Sequence, residues 1–572
     1  MNIFRRPEQT PSETSPQSQP SEPWLRVIPL GGLGEIGKNM MVYETANDMI
    51  VVDSGLMFPE EEMLGVDLVI PDITYIHENS RKLRGIFITH GHEDHVGALP
   101  YVMKELQTRL YCTRLTRGLI AVKLKEHRIL DDSTLLAVEP GEVITAGSDF
   151  SVEFFSVAHS IPDAAGLAIR TPIGLVVHTG DFKLDHTPVM GPGTDLTRLA
   201  HYGQEGVALL CSDSTYAELP GYTPSETVVG EALDRIIANA PGRVIVTTFA
   251  SLIARVQQVI DAANKHGRRV FVTGRSMIDN VNMAVELGYL KPPPAGLLRP
   301  EDLREIPNEK LCIVSTGSQG EPTSALSRMA NGDHQHIGIV PGDTVILSSS
   351  PVPGNEALVY RVVDNLFKLG ADVLYNRISN VHVHGHASQE ELKVVFSVTK
   401  PRYFVPIHGE YRHMALLAKL AELMGVEKGN AFVLQDGNSL EISESGARLG
   451  DPVTCDWVYV DGLGVGDVDH VVLRDRKHLA SDGILVIIIA VEKQTGRVVG
   501  TPDIVSRGFV DVEESEGLLE ETRRRVVQSL DGGTAHMAEW GSINTSVKDS
   551  VAEFLYEKTR RRPMILPVAV EV

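Results

Sequence analysis

Apolar positions in this chain follow two periods, and the switch between them divides the sequence into units. WLRVIPL (24–30), NMMVYE (39–44) and MIVVD (49–53) are short, rich in β-branched residues and bounded by turn formers, which predicts strands. A further apolar run, GIFI, ends in THGHEDHVG, after which HVGALPYVMKEL (95–106) has the spacing of one amphipathic helix. Between about 215 and 375 strands and helices alternate. RVIVTTF precedes SLIARVQQVIDAANK, RVFVTG precedes SMIDNVNMAVELGY, and LCIVSTG and TVILSS are further buried strands. That alternation predicts a parallel sheet flanked by helices. Histidine-bearing loops return from ADVLY (371–375) to Leu449. After GARLGDP a third unit begins near Pro452 and closes with the helix VKDSVAEFLYEKTRRR and the strand MILPVAVEV. The first 23 residues, MNIFRRPEQTPSETSPQSQPSEP, have no apolar period and no signal-peptide core, and are expected to form a disordered tail. The organisation expected is therefore 1–23 tail, 24–214 first domain, 215–375 inserted domain, 376–450 return to the first domain, and 451–572 linker and C-terminal domain.

Composition narrows the class of protein. Hydrophobic content of 42% with 22% charged residues is that of a globular chain, and ILVIIIAV (484–491) is too short for a membrane helix. The four cysteines, Cys112, Cys211, Cys312 and Cys455, form no CxxC pair, which excludes a thiolate metal site and suits a reducing, cytoplasmic location. A net charge of -22 argues against simple electrostatic binding of nucleic acid, although residues 81–130 hold ten Lys or Arg against four Asp or Glu. A locally basic groove and a solvated helix face account for that excess equally well.

GLGEIG has the GxGxxG spacing of a dinucleotide loop, and Asp53 follows where a ribose-binding acid would stand. Such a site needs a helix directly after the glycines. Here KNMMVYETANDMIVVD reads as two strands around a turn at Asn47–Asp48, so the glycines are taken as a tight loop.

The candidate chemistry lies in THGHEDHVG, where His90, His92, Asp94 and His95 stand within six residues at a strand end. Three imidazoles and a carboxylate so close together suit metal ions far better than a surface turn. His159 in FFSVAHSIPDA, Asp181 in GLVVHTGDFK and His408 in RYFVPIHGE also follow apolar strands. Together they make two sets: His90, His92 and His159 for one ion, and Asp94, His95 and His408 for the other, with Asp181 as the bridge. Two such cations would share a water and lower its pKa towards neutrality. Asp53, at the end of MIVVD, would orient the ligands without touching metal. Nitrogen and oxygen ligands suit Zn2+, with Mn2+ or Mg2+ as alternatives.

These residues resemble the HxHxDH pattern of the metallo-β-lactamase fold. CSDST at Asp213, HGHAS at His386 and PIHGE at His408 resemble the further motifs of its β-CASP nuclease branch. GGLGEIGKN, STGSQGEP, PVPGNE and HGHASQEEL resemble the bacterial ribonuclease J family, from about Trp24 to the C-terminus. The resemblance implies an α/β protein: a metallo-β-lactamase αββα sandwich with an inserted β-CASP α/β domain and a small C-terminal α/β domain. It also implies a two-metal phosphodiesterase acting on single-stranded RNA, with 5′-to-3′ exonuclease activity that prefers a 5′ monophosphate, plus endonuclease activity, in rRNA processing and mRNA decay. In that scheme Asp94 and Asp213 belong to the catalytic set and His386 donates a proton to the leaving 3′ oxygen. The family is commonly dimeric or tetrameric. A DNA nuclease of the same fold and a small-molecule metallo-hydrolase are the alternatives. A non-enzymatic scaffold would require lost ligands, and every expected ligand is present.

The loop HVHGHASQEEL would contact phosphate through His382, His384, Gly385, His386, Ala387 and Ser388, with Ser318 of STGSQGEP as a further contact. Ser388 and Glu391 have the spacing of a capping box, and unpaired N–H groups at a helix start attract phosphate. An ordinary capped helix explains the motif as well, and turn-forming Ser and Gly explain Ser318 almost as well. Arg runs 523–525 and 560–562 read as solvated helix faces. The chain departs from the family pattern at Tyr216, Leu252, Ala254 and His384, none of them an expected metal ligand.

Overall fold

The computed structural model describes residues 22–352, 354–493, 499–511, 515–530 and 540–572, without the side chains of 540–543. The expected tail lies, through residue 21, outside the described residues.

The expected strands 24–30, 39–44 and 49–53 form as Trp24–Gly31, Met40–Glu44 and Met49–Val52, antiparallel in sequence. They lie in an eight-stranded mixed sheet that continues through Leu83–Phe87, Arg109–Cys112 and Thr134–Ala137 on one side and Leu440–Ser443 and Gly446–Leu449 on the other. A second sheet of six strands runs Tyr403–Ile407, Val207–Asp213, Gly174–His178, Ala165–Thr171, Phe150–Ser156 and Val143–Ala146. One apolar core joins the two sheets, with Leu25, Tyr43, Ile50 and Phe87 meeting Phe154, Leu167, Val176 and Val405. The other face of the second sheet is covered by helices, including Leu196–Glu205 and Gln389–Thr399. Sheets apolar on both faces must be covered on both, and the outcome is the layered metallo-β-lactamase sandwich.

The single helix expected over 95–106 is two, Glu93–Val96 and Leu99–Glu105. The amide of Ala98 is spent on the carbonyl of Ser54 at 3.0 Å, and Pro100 opens the second helix because it has no N–H to place. The break leaves Asp94 and His95 on a one-turn helix of their own.

The segment between the halves of the sandwich builds a five-stranded, wholly parallel sheet, ordered Arg269–Thr273, Leu311–Ser315, Val244–Thr247, Thr344–Leu347, Asp372–Tyr375. Helices Thr227–Asn239, Ile253–Lys265 and Glu356–Lys368 flank it, as the strand–helix alternation predicts. The chain then re-enters the sandwich at Tyr403–Ile407, in parallel register with Val207–Asp213.

A second compact unit comprises Val458–Val572 together with Pro59–Leu68. Its sheet centres on Ile484–Val491, antiparallel to Asp503–Arg507 and parallel to Met564–Glu571. Alternate residues Leu485, Ile487, Ile489 and Val491 are buried against helices Glu516–Leu530 and Trp540–Thr559. The opposite sheet face is also apolar, with Leu566 48% and Val570 43% exposed. No helix among the described residues is long and apolar enough to cross a membrane.

Gly203 lets helix Leu196–Glu205 approach Gln389–Thr399, because an added Cβ would lie 1.9 Å from the carbonyl oxygen of Val398. Gly203→Ala is expected to destabilise the chain by about 1–3 kcal/mol through overpacking, read as a lower urea midpoint with unchanged slope.

Candidate metal centre

The C-terminal ends of strands from both sheets meet at one edge of the sandwich, and each delivers a ligand-type side chain. Met49–Val52 ends at Asp53, Leu83–Phe87 runs into His90–His95, and Phe150–Ser156 precedes His159. Gly174–His178 precedes Asp181, and Tyr403–Ile407 ends at His408. The resulting cluster has three overlapping groups, each with ligand atoms within 4.8 Å of one another: His90, His92 and His159; Asp94, His95, Asp181 and His408; and Asp181, Asp213, His386 and His408. Asp181 reaches both sets read from the sequence. Its Oδ2 lies 3.6 Å from His90 Nε2 and 3.2 Å from His95 Nε2, and its Oδ1 lies 3.7 Å from His408 Nδ1.

The hydrogen bonds around the cluster fix which ring nitrogens carry protons. His159 Nδ1 donates to the carbonyl of Gly385 at 2.8 Å, so its Nε2 presents a lone pair, 3.1 Å from His92 Nδ1. His95 Nδ1 donates to Asp53 at 2.7 Å, leaving Nε2 to face Asp181. Lone pairs and carboxylate oxygens thus converge, and Asp181 Oδ1 is buried without a hydrogen-bond partner among the described residues. Imidazole nitrogens and carboxylate oxygens gathered this closely are the donor set of a divalent metal, so the residues present fit one.

Burial pushes the imidazoliums of His90 and His159 far below their usual range and that of His92 to about 4. These rings are therefore neutral, the form that binds metal. Burial alone would raise Asp94 and Asp181, yet both are held well below the usual carboxylate range, chiefly by His95 and His408. Burial also works against charge on His408, but Asp181, Asp213 and Asp94 raise it to about 10.

Asp53 touches no other carboxylate of the cluster. Its oxygens accept from Thr89 N at 2.7 Å, Thr89 Oγ1 at 2.8 Å and His95 Nδ1. Asp53 and His408 both hold left-handed backbone, with φ of 63° and 51°. Such conformations cost on the order of 1–3 kcal/mol for a side-chain-bearing residue and are maintained by their surroundings.

The glycine loop supplies part of that surrounding. It is followed by the strand Met40–Glu44 and not by a helix, and Leu33–Gly34 pairs in parallel with Gly409–Glu410, directly after His408. Asn39 Nδ2 donates to the carbonyl of Asp94 at 3.0 Å and lies 3.2 Å from His95 Nε2. Lys38, fully buried, is held by Glu35 at 3.1 Å and Asp436 at 3.2 Å. An added Cβ on Gly32 would lie 2.1 Å from Asn39 Oδ1, so the loop closes only around glycine.

The loop before helix Gln389–Thr399 carries His386, whose Nδ1 lies 2.7 Å from Asp213 Oδ2 and 3.9 Å from Asp181 Oδ2. Burial opposes a charge on His386, but Asp213 outweighs it and raises the imidazolium above its usual range. The capping box of Ser388 and Glu391 forms, and the fully buried Glu391 also accepts from Leu184 N and Thr223 N, both at 2.7 Å. Lys183 reaches the carbonyl of His384 at 3.4 Å, and Arg255 that of Val381 at 3.2 Å. Gly385 packs on His159, where an added Cβ would lie 2.6 Å from the ring, and Ala387 is buried. His382 is held neutral by burial, and its Nδ1 has no partner among the described residues. Ser318 is brought elsewhere: it is buried in the inserted domain, where its carbonyl accepts from Ser349 Oγ at 3.2 Å, and no described contact joins it to the cluster. A small pocket lined by His159, Ser160 and Asp163 of the sandwich and Glu226 and Ala254 of the insert touches the centre at His159.

Comparison with known proteins agrees with this architecture. Residues 33–241 match the metallo-beta-lactamase superfamily, 241–366 the ribonuclease J beta-CASP domain, 371–433 the Zn-dependent metallo-hydrolase RNA specificity domain, and 471–572 the ribonuclease J C-terminal domain. The chain is 46% identical to ribonuclease J of Thermus thermophilus over 554 residues, 96% of this chain and 95% of that one. It is 42% identical to ribonuclease J2 of Bacillus subtilis over 549 residues, 96% and 99% of the two chains. The chain belongs to the ribonuclease J family. Membership makes it a metal-dependent ribonuclease of the metallo-β-lactamase superfamily. A crystal structure of a protein of unknown function from Enterococcus faecalis shares the fold at 17% identity, with a TM-score of 0.50 over 73% of this chain and 99% of that one.

Within this ribonuclease J chain, the sequence reading missed Asn39, Thr89 and Thr215. Thr215 Oγ1 bonds both Asp213 Oδ1, at 2.7 Å, and His408 Nδ1, at 2.6 Å. Their only sequence signal is adjacency: each stands within two residues of a motif position, and threonine or asparagine there is indistinguishable from a turn residue.

Adding Zn2+ or Mn2+ to chelated protein is expected to raise its unfolding temperature, since ions that bind only the folded state stabilise it. Asp181→Ala should remove most of that rise, and Asp53→Asn should weaken metal affinity by roughly 10- to 100-fold. An unchanged shift in Asp181→Ala would remove it from the ligand set.

Proposed function

We propose that the chain hydrolyses single-stranded RNA with two metal ions, as a 5′-to-3′ exonuclease preferring a 5′ monophosphate and with endonuclease activity besides, in rRNA maturation and mRNA decay. The observation that supports this reading most strongly is the 2.7 Å pair of His386 with Asp213 at the rim of the metal cluster. A metallo-hydrolase needs its metals to make a nucleophile; a phosphodiesterase also needs an acid for the alkoxide that leaves.

In this scheme His90, His92 and His159 would hold one ion, Asp94, His95 and His408 the other, and Asp181 would serve both. When bound, the ions activate a water at neutral pH and offset charge on the phosphoryl oxygens, and Zn2+ is the ion the nitrogen-rich set favours. Asp213 accepts from His386 Nδ1 and raises its pKa, which favours the protonated ring. The proton passes from His386 to the departing 3′ oxygen. Asp53 and Thr215 hold His95 and His408 against rotation. The rim residues His382, His384, Gly385, Ala387 and Ser388 would shape the path of the 5′ phosphate. For Ser388 this role is to hold the loop's shape, because its hydroxyl lies 3.0 Å from that of Thr223 and its amide donates to Glu391. Ser318 would contribute from the insert.

We further propose that the chain is a homodimer or homotetramer joined through the C-terminal unit. The apolar sheet face bearing Leu566 and Val570 supports this, since such faces on soluble domains mark interfaces. The domain limits 24–214, 215–375, 376–450 and 451–572 are adopted with it. RNA as substrate and four unpaired cysteines suit the cytoplasm.

One end-labelled RNA carrying a 5′ hydroxyl, monophosphate or triphosphate, digested with added metal beside the matching DNA, tests the reading. Mononucleotides should appear fastest from the monophosphate, and DNA should survive. Equal rates from all three ends would exclude the phosphate pocket, and preferential cutting of DNA would reassign the substrate. Asp94→Ala and His95→Ala should abolish cleavage. His386→Ala should lower kcat by about 10²–10⁴-fold while changing RNA binding little; a larger loss of binding than of rate would remove its acid role. Light scattering of full-length protein should give a mass of two or four chains, and Leu566→Asp should lower it. A monomer would exclude the proposed interface.

A further inference from the structure

Two aromatic side chains outside the metal set stack on each other at the rim of the site. The rings of Tyr216 and His384 have centroids 4.0 Å apart and planes 30° apart, and the Tyr216 ring lies 5.7 Å from that of His386. Both are half-buried, so the pair belongs neither to the core nor to open surface. The Tyr216 hydroxyl has no hydrogen-bond partner among the described residues, so packing of its ring, and not a polar contact, keeps it there.

Each ring is fixed from beneath. Tyr216 stands in the turn where Ala217 N bonds Ser214 O at 3.0 Å, next to Thr215, which is tied to Asp213 and His408. His384 is held by Lys183 at its carbonyl and by its own Nδ1, 3.0 Å from the carbonyl of His386. A stack fixed in this way loses little freedom when a flat ligand joins it. Nucleobases are such ligands, and aromatic faces are the usual platform for unpaired ones.

Resting on the ribonuclease reading above, we propose that Tyr216, backed by His384, is a specificity-determining platform. It stacks on the base of the nucleotide that departs with its 3′ oxygen, immediately beside the acid His386. His386 serves that oxygen, so the base nearest to it is the one attached to the departing nucleotide. Purines, with the larger face, should be released faster than pyrimidines.

The test uses full-length, metal-loaded protein and 5′-monophosphorylated RNA, either intact or carrying one abasic ribose at the first or the second nucleotide. In the wild-type chain, an abasic first position should lower kcat/KM for its release by about 5- to 150-fold, and an abasic second position should lower it less. Tyr216→Ser should lower kcat/KM on intact RNA by a similar factor and abolish the further loss at the abasic first position, because the two changes remove one contact. Tyr216→Phe, which retains the ring, should retain the abasic penalty. Metal content and unfolding temperature, measured alongside, show that Tyr216→Ser is folded and loaded. An abasic penalty of the same size in Tyr216→Ser as in wild type, or one largest at the second nucleotide, would overturn the platform. Wild-type protein that leaves intact RNA uncut while binding metal would overturn the ribonuclease reading, and the platform with it. If His384 backs the ring, His384→Ser should reduce the abasic penalty without removing it; an unchanged penalty would take His384 out of the assignment.

Discussion

The structure depends on gathering imidazoles and carboxylates into one buried space. His90, His92 and His159 are held neutral by burial, and His90, His95 and His159 lie 3.2–3.9 Å from Asp181, one of whose oxygens has no partner among the described residues. Without metal, the charges of Asp94 and Asp181 are balanced by His95 and His408, and removing a partner from a buried pair costs several kcal/mol. The scaffold must therefore be stiff enough to keep the ligands together before metal arrives. Metal in turn adds its binding energy to the stability of the fold.

Stiffness comes from where the ligands sit and from what lies behind them. Strand ends have no freedom to drift, because their backbones are paired along their length with strands buried on both faces. Behind them, Asp53 fixes the His95 ring, Thr215 fixes His408, and Gly385 fixes His159. The glycine loop clamps the residues after His408 by pairing with Gly409–Glu410, and Asn39 grips the backbone of Asp94. Glu391 binds three amides from three segments, those of Leu184, Thr223 and Ser388, and so ties the His386 loop to both sandwich and insert. The left-handed backbone of Asp53 and His408 is the local strain that this support sustains.

Much of this was legible beforehand. The apolar runs predict the strands, the alternation after residue 215 predicts the parallel sheet, and the strand after the glycines excludes a dinucleotide site. Ligand-type residues at successive strand ends identify the cluster, because a strand end is a place the chain can bring back repeatedly to one edge. The single helix over 95–106 was wrong, since periodicity cannot register that the Ala98 amide is claimed by Ser54, far back in the chain. Asn39 and Thr215 were missed because their roles depend on partners more than 50 residues away. Ser318, expected to contact phosphate because it follows a buried strand, is buried in the insert with its carbonyl bonded by Ser349.

By itself, then, the sequence determined residue types and their positions along each strand: which side chains can bind metal, which face is apolar and where each strand stops. These are local properties, carried by side-chain chemistry and backbone period. Only the tertiary structure decided which ring nitrogens of His95 and His159 are taken by Asp53 and Gly385, that His386 leans on Asp213, and that Tyr216 and His384 stack beside it. Those outcomes depend on segments brought together by the return of the chain after the insert, and hydrogen-bond partners so far apart in sequence leave no periodic trace.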